Sequence, residues 1–185
     1  MHVLLAADAD WLVDEVVAAL GGTNTSFTVC SDGREVSRVL EDRVERGEDV
    51  DIGIFDLQVG SMGGMAVTMA LRLDASAGAA PDIPVLMLLD RVADVHLARR
   101  SGADGWLVKP LDPLRLRRAV KAVLAGGSYT EGLTGPPPLA VPRPAVGEHP
   151  QATPLAESAE GVTEQPSGEA PDRAEPTGAE TVTSG

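Results

Sequence analysis

Cysteine is almost missing from these 185 residues. Cys30 stands alone, so no internal disulfide and no cysteine-rich metal centre can form. Basic charge is also in short supply, with 28 acids against 15 lysines and arginines and a net charge of −13. Residues from 131 onward carry −7 of that and residues 1 to 130 carry −6. Both parts are acidic, which argues against nucleic acid as a partner, because phosphate binding needs clustered positive charge. No apolar stretch approaches the roughly 20 residues that span a bilayer, so no membrane insertion is expected. The opening Met-His-Val-Leu-Leu-Ala-Ala meets Asp8 and Asp10 too soon for a signal peptide. These absences point to the reducing cytoplasm. There is no internal repeat.

What is present changes along the chain. Residues 136 to 185 hold ten of the fourteen prolines, no aromatic residue and six large aliphatics. Such a segment cannot bury enough apolar surface to offset its ordering entropy, and is expected to be a disordered acidic tail. The expectation is one folded domain over residues 1–127 and a Pro/Ala/Glu-rich tail over 128–185.

Over the first 130 residues, short apolar runs alternate with amphipathic stretches, the pattern of parallel strands joined by crossover helices. Strands are predicted at 2–7, 26–30, 51–56, 84–89 and 105–108. Helices are predicted at about 11–20, 33–46, 64–75, 92–101 and 112–125. Gly21-Gly22, Gly102 and Gly126-Gly127 follow helical patterns, where a left-handed terminal residue costs glycine little. The last helix places Leu116, Val120, Val123 and Leu124 on one face. The fold class is α/β, a doubly wound five-stranded parallel sheet.

Ligands of such sheets bind beyond the carboxyl ends of the strands. Asp8 follows the first run with Asp10 two residues on, Asp56 ends the third, Leu89 and Asp90 end the fourth, and Lys109 precedes Pro110 after the fifth. Asp56 is the most telling, because it sits where the apolar Ile52-Gly-Ile-Phe55 opens into Leu57-Gln-Val-Gly-Ser-Met-Gly-Gly64. A carboxylate there can act as a nucleophile toward phosphorus. The chain has thirteen arginines and two lysines, yet position 109 is Lys, the compact point charge suited to a phosphoryl group.

These residues resemble the receiver domain of bacterial response regulators. The matching segments are Val3-Leu-Leu-Ala-Ala-Asp8, Val29-Cys-Ser-Asp-Gly33, Asp51-Ile-Gly-Ile-Phe-Asp-Leu57 with Met62-Gly-Gly64, Ile83-Pro-Val-Leu-Met-Leu88 and Gly102-Ala-Asp-Gly-Trp-Leu-Val-Lys-Pro110. They run in family order with matching intervals from residue 1 to about 127. The resemblance implies a flavodoxin-like strand order 2-1-3-4-5. It further implies that Asp56 is the phosphoacceptor, charged by a sensor histidine kinase or phosphotransfer protein, and that Lys109 contacts the phosphoryl group. Asp8 and Asp56 would bind Mg2+, with Asp10 as a displaced candidate ligand. Output would pass to a downstream protein without DNA contact or enzymatic activity. By the same resemblance, the docking face is that of helix 92–101, strand 105–108 and helix 112–125.

Departures from the family pattern are specific. Receivers usually have two adjacent acids after the first strand, whereas Asp8 is flanked by Ala7 and Ala9. Metal affinity should be weakened. The Thr or Ser hydroxyl that ends the fourth strand is Leu89, which forfeits roughly the 1.5–3 kcal/mol of a charged hydrogen bond to a phosphoryl oxygen. Trp106 takes the place of the switch Tyr or Phe, and Gly60 replaces a common proline, which should loosen the loop after Asp56.

Plainer readings compete. Asp8 and Asp90 both suit helix capping, and Trp11 and Trp106 suit core or rim positions. Met62, Met65 and Met69 read as packing. Arg99, Arg100, Arg115, Arg117, Arg118 and Lys121 read as a solvated basic face that would suit an acidic partner patch or the chain's own tail. Three function classes remain open: a stand-alone receiver signalling through protein contacts, an atypical receiver acting as a phosphorylation-independent interaction module, and a phosphohydrolase of the haloacid dehalogenase class. For the last, Leu4-Leu-Ala-Ala-Asp-Ala-Asp10 resembles the first motif, with Asp8 as nucleophile.

Overall fold

A computed structural model describes residues 1–132; of the tail expected over 128–185, residues 133–185 lie outside the described residues. The five apolar runs form β1 (His2–Ala6), β2 (Ser26–Cys30), β3 (Ile52–Asp56), β4 (Val85–Leu89) and β5 (Gly105–Val108). They alternate with α1 (Asp10–Leu20), α2 (Glu35–Glu45), α3 (Gly64–Ser76), α4 (Val95–Ser101) and α5 (Pro113–Leu124). Every strand pair is parallel, and the order is β2-β1-β3-β4-β5. The fold is the doubly wound, flavodoxin-like receiver sheet expected from the sequence.

Side chains alternate across the sheet with the strand period of two. Val3, Leu5, Ile52, Ile54, Leu86, Leu88 and Leu107 pack with Leu12 and Val16 of α1 and Leu116 and Val120 of α5. On the other face Leu4, Ala6, Phe55 and Val85 meet Val36 and Leu40 of α2 and Val67 and Leu71 of α3. Met87, Leu89 and Trp106 meet Val95 and Ala98 of α4. Each residue of β3 and β4 is buried, as it must be in a central strand covered on both sides.

Register brings the strand ends to one level. Ala6 lies opposite Cys30 and Phe55, Asp56 opposite Leu88, and Leu89 opposite Val108. The residues that follow, Asp8, Leu57, Asp90 and Lys109, therefore share one edge of the sheet.

Two local features depart from expectation. The helix expected over 92–101 is a 3-10 turn, Val92–Asp94, followed by the shorter α4. Arg91 has extended backbone, and its guanidinium pairs with Asp94 at 3.4 Å, closing a tight turn ahead of the helix. Among the glycines expected to be left-handed, Gly102 and Gly126 are, but Gly21 has φ −58°. At the other end of the domain, Asp112 caps α5 by accepting from the Leu114 and Arg115 amides, with Pro113 as first helical residue.

Beyond α5 the chain does not leave the domain at residue 127. It turns at Gly126 and returns along the outer edge of β5, where Tyr129 forms a parallel bridge with Gly105. Tyr129, Thr130 and Glu131 are half-buried there, between exposed residues at Ser128 and Gly132.

Candidate functional site

Asp56 is the last residue of β3 and is buried, a costly place for a carboxylate unless it is paired. Lys109 Nζ donates to its Oδ1 at 2.7 Å, and the Gln58 amide reaches the same oxygen at 3.4 Å. Lys109 is placed by β5, whose last backbone contact to β4 is the 2.8 Å bond from the Lys109 amide to the Leu89 carbonyl. The Lys109–Pro110 peptide is cis.

A second carboxylate shares the ammonium. Asp90 Oδ1 lies 3.0 Å from Lys109 Nζ. Asp90 is therefore not the helix cap that sequence reasoning favoured: the residue at the start of the 3-10 turn is Arg91, with no side-chain cap bond. Burial works against the Lys109 charge, but the bonds to Asp56 and Asp90 outweigh it, and its pKa is raised above the ordinary lysine value. The Trp11 ring, largely exposed at the start of α1, has its centroid 5.9 Å from Nζ, at the outer range of a cation–π contact. Trp11 is a rim aromatic facing the site.

Asp8 follows β1 and is exposed, and its Oδ2 accepts from the Gly60 amide at 3.1 Å. Capping does not occupy it: the residue capping α1 is Ala9, with no side-chain bond. Gly60 has φ +46°, which glycine adopts readily and proline, fixed near −65°, cannot. Proline would also lack the N–H that Asp8 receives. The loop after Asp56 is thus pinned where loosening was expected. A second tether comes from Asp32, whose Oδ2 accepts from the Ser61 hydroxyl at 2.6 Å. That bond holds the Asp32 carboxyl below its ordinary pKa. Nothing in the sequence joined Asp32 to Ser61, 29 positions apart.

Asp10 is exposed as the first residue of α1. Among the described residues, no group of three or more His, Cys, Asp or Glu is arranged to hold a metal. The acids at the strand ends are the pair Asp8 and Asp56, with Asp90 committed to Lys109. Two carboxylates suit a hydrated magnesium ion that keeps several waters, so the residues present fit the ion with a reduced donor set.

Leu89 and Trp106 are both buried in the apolar cluster under α4. Leu89 offers no hydroxyl at the end of β4, which equally removes the Ser or Thr that a dehalogenase-type phosphohydrolase needs. Trp106 Nε1 donates to the Glu131 carbonyl at 2.8 Å, fixing the ring inward. Met62 and Met65 pack against the core as expected, whereas Met69 is exposed. The supposed basic face is divided: Arg115 pairs with Glu131, Arg117 Nε donates to the Ala19 carbonyl at 2.6 Å, and Arg99, Arg100, Arg118 and Lys121 are exposed.

Comparison with known proteins bears on the fold that carries this site. The chain is 33% identical over 81 residues to protein PilH of Pseudomonas aeruginosa, covering 44% of this chain and 66% of PilH. It is 30% identical over 139 residues to the transcriptional regulatory protein CseB of Streptomyces coelicolor, covering 71% and 55% of the two chains. Among solved structures, the chemotaxis protein CheY4 of Vibrio cholerae superposes with TM-score 0.53 at 26% identity, over 66% of this chain and 97% of CheY4. This chain contains a response-regulator receiver domain. The signal receiver domain of a histidine kinase from Syntrophus aciditrophicus matches this receiver with TM-score 0.57 at 26% identity, over 72% and 97% of the chains. The chain spans about half the length of the curated relatives it matches. No family model matches it.

Proposed function

We propose that this receiver accepts a phosphoryl group on Asp56 from the phosphohistidine of a histidine kinase or phosphotransfer protein and signals through protein contacts. The observation that carries the reading is the buried Asp56 carboxylate at the end of β3, held at Oδ1 by Lys109 Nζ at 2.7 Å. Among the described residues both hydrogen bonds to the Asp56 side chain fall on Oδ1, so Oδ2 is the oxygen available to attack phosphorus. As the new phosphorus–oxygen bond forms, the bond from phosphorus to the imidazole nitrogen breaks. The imidazole leaves with that electron pair and takes up a proton. Lys109, held beside the Asp56 carboxylate, would meet the charge that develops on the phosphoryl oxygens.

Asp8 and Asp56 would hold a magnesium ion, whose charge would offset that of the equatorial phosphoryl oxygens. Support comes from the receiver domain of the sensor kinase PA1611 of Pseudomonas aeruginosa, which has magnesium in its active-site cleft; it shares the fold at TM-score 0.54 and 19% identity, over 67% of this chain and 97% of its own. The Gly60 amide bond fixes Oδ2 of Asp8 against the loop that follows Asp56. In this reading the domain works in the cytoplasm, has no enzymatic turnover of its own and does not bind DNA, and the acidic residues after it form a tail.

A second reading, an interaction module independent of phosphorylation, is favoured by one observation: Leu89 and Trp106 are joined in a buried apolar cluster instead of forming a hydroxyl and a mobile aromatic. Intact mass separates the two. The full chain is incubated with magnesium and a small-molecule phosphodonor, and separately with a phosphorylated histidine kinase, beside Asp56→Asn. Gain of one phosphoryl group in the native chain alone supports the first reading. No gain under either condition supports the second, and a gain in both proteins moves the acceptor to Asp8 or elsewhere.

A further inference from the structure

The outer edge of β5 would be an open row of backbone donors, the kind of edge that recruits another strand. In this chain it is filled. The Trp106 amide donates to the Tyr129 carbonyl at 2.8 Å, and the Val108 amide donates to Glu131 Oε2 at 3.1 Å. Two outward amides two residues apart are thus met by a main-chain carbonyl and, two residues later, by a carboxylate. Arg115 of α5 closes the carboxylate from the far side, with Nε donating to Oε1 at 2.9 Å and a second guanidinium nitrogen to Oε2.

The surface is shaped for an extended chain. A side chain at position 105 would stand 2.8 Å from the Tyr129 carbonyl, so Gly105 is what allows the backbones to meet. Tyr129 packs on the core beneath α5, and Gly132 lies against Val92 beside α4. The strip runs between α4 and α5 and makes both side-chain and main-chain demands. Strand addition of this type takes affinity from backbone bonds and specificity from alternate side chains.

We propose that the β5 edge is a peptide-binding groove, that residues 128–132 are its tethered occupant, and that a partner protein engages this face by substituting an extended strand of its own with a carboxylate at the position of Glu131. The two-residue spacing between the paired carbonyl and the carboxylate follows from the strand repeat and is the recognition rule. Arg115 makes the groove selective for an acid over an amide at that point. This inference does not depend on phosphorylation of Asp56. It concerns the face assigned to docking by resemblance, and it means that the face is occupied until the chain's own segment leaves.

The test is amide hydrogen exchange by NMR on the full chain. In the native protein the Trp106 and Val108 amides should be protected alongside those of the central strands. In Glu131→Lys both should exchange roughly tenfold or more faster, as expected for local opening, while amides of β1, β3 and β4 are unchanged. The synthetic peptide Gly-Ser-Tyr-Thr-Glu-Gly-Leu, added to the variant, should restore protection, and its Glu→Gln version should not. Four outcomes overturn the proposal: Trp106 and Val108 amides that exchange freely in the native chain, no acceleration in a folded Glu131→Lys, no rescue by the peptide, or native protection that falls on dilution, which would assign the occupant to a second copy. Should Glu131→Lys not fold, Arg115→Gln serves as the second variant, with the same acceleration expected.

Discussion

Lys109 Nζ stands 2.7 Å from Oδ1 of Asp56, with 11% and 4% of the two side chains exposed. The pair is nearly closed to solvent but not symmetric in its dependence. Lys109 has Asp90 as a second partner, whereas lysine is the only cation paired with Asp56 among the described residues.

Removing the two partners should therefore have unequal effects. Lys109→Met leaves a buried carboxylate uncompensated and should cost about 3 kcal/mol, while Asp56→Asn leaves Lys109 paired with Asp90 and should cost about 1 kcal/mol or less. Urea unfolding of both variants checks this. The raised lysine pKa adds a pH signature: a group titrating higher when folded contributes fully below its unfolded value and loses that contribution as pH rises through the folded one. The stability gap between the native chain and Lys109→Met should hold from pH 7 to near 10, then narrow above the ordinary lysine value of 10.5.

Restoring the proline common in the family at position 60 should harm this protein. Gly60→Pro forbids φ +46° and deletes the N–H received by Asp8, for an expected loss of roughly 2 kcal/mol or more. Gly60→Ala keeps the N–H but places a Cβ 2.9 Å from Asp32 Cα at the same positive φ, for about 1 kcal/mol. Thermal or chemical denaturation gives the order glycine, alanine, proline.

Leu89→Thr puts a hydroxyl at the end of β4 at the expense of the apolar cluster. Burying the hydroxyl and losing volume beside Trp106 should destabilise the fold by about 2–4 kcal/mol. If Asp56 is phosphorylated, a new bond of about 1.5–3 kcal/mol to the phosphoryl group should raise the phosphorylated-to-free ratio roughly tenfold or more at limiting donor. Denaturation and intact mass on the same sample report both effects.

Acid should release the segment that covers β5. Burial alone would raise the Glu131 pKa, but the Arg115 and Val108 bonds outweigh it and hold it below the ordinary 4.5. A carboxyl depressed on folding stabilises above its unfolded value and loses that contribution as pH falls through the folded one. The Trp106 and Val108 amide resonances should shift together below pH 4.5, and in Glu131→Gln no such titration should appear.

Cys30 should be inert in the native state. It is buried at the end of β2, and burial pushes its thiol up to about 11, so thiolate is scarce at neutral pH. A disulfide reagent at pH 8 should modify it only on unfolding, at the rate of global opening.

Much of this protein was settled by local pattern. Alternation of apolar runs with helical stripes gave the strands and every helix but α4 within a residue or two, because the buried strands β3 and β4 have no polar residue to blur their limits before Asp56 and Asp90. Asp8, Asp56 and Lys109 were legible because a parallel sheet directs the ends of its strands to one edge. The partners of those residues were not. Asp90 pairs with Lys109 across β4 and β5, Asp8 with Gly60 across 52 positions, and Ser61 with Asp32 across 29; each bond depends on which strands are neighbours and on their register. Glu131 read as one more acid at the head of an acidic tail, yet it lies in a pocket built from Trp106, Val108 and Arg115. Composition can state that a segment is unable to build a core of its own; only the tertiary structure decides whether an existing sheet edge will take it.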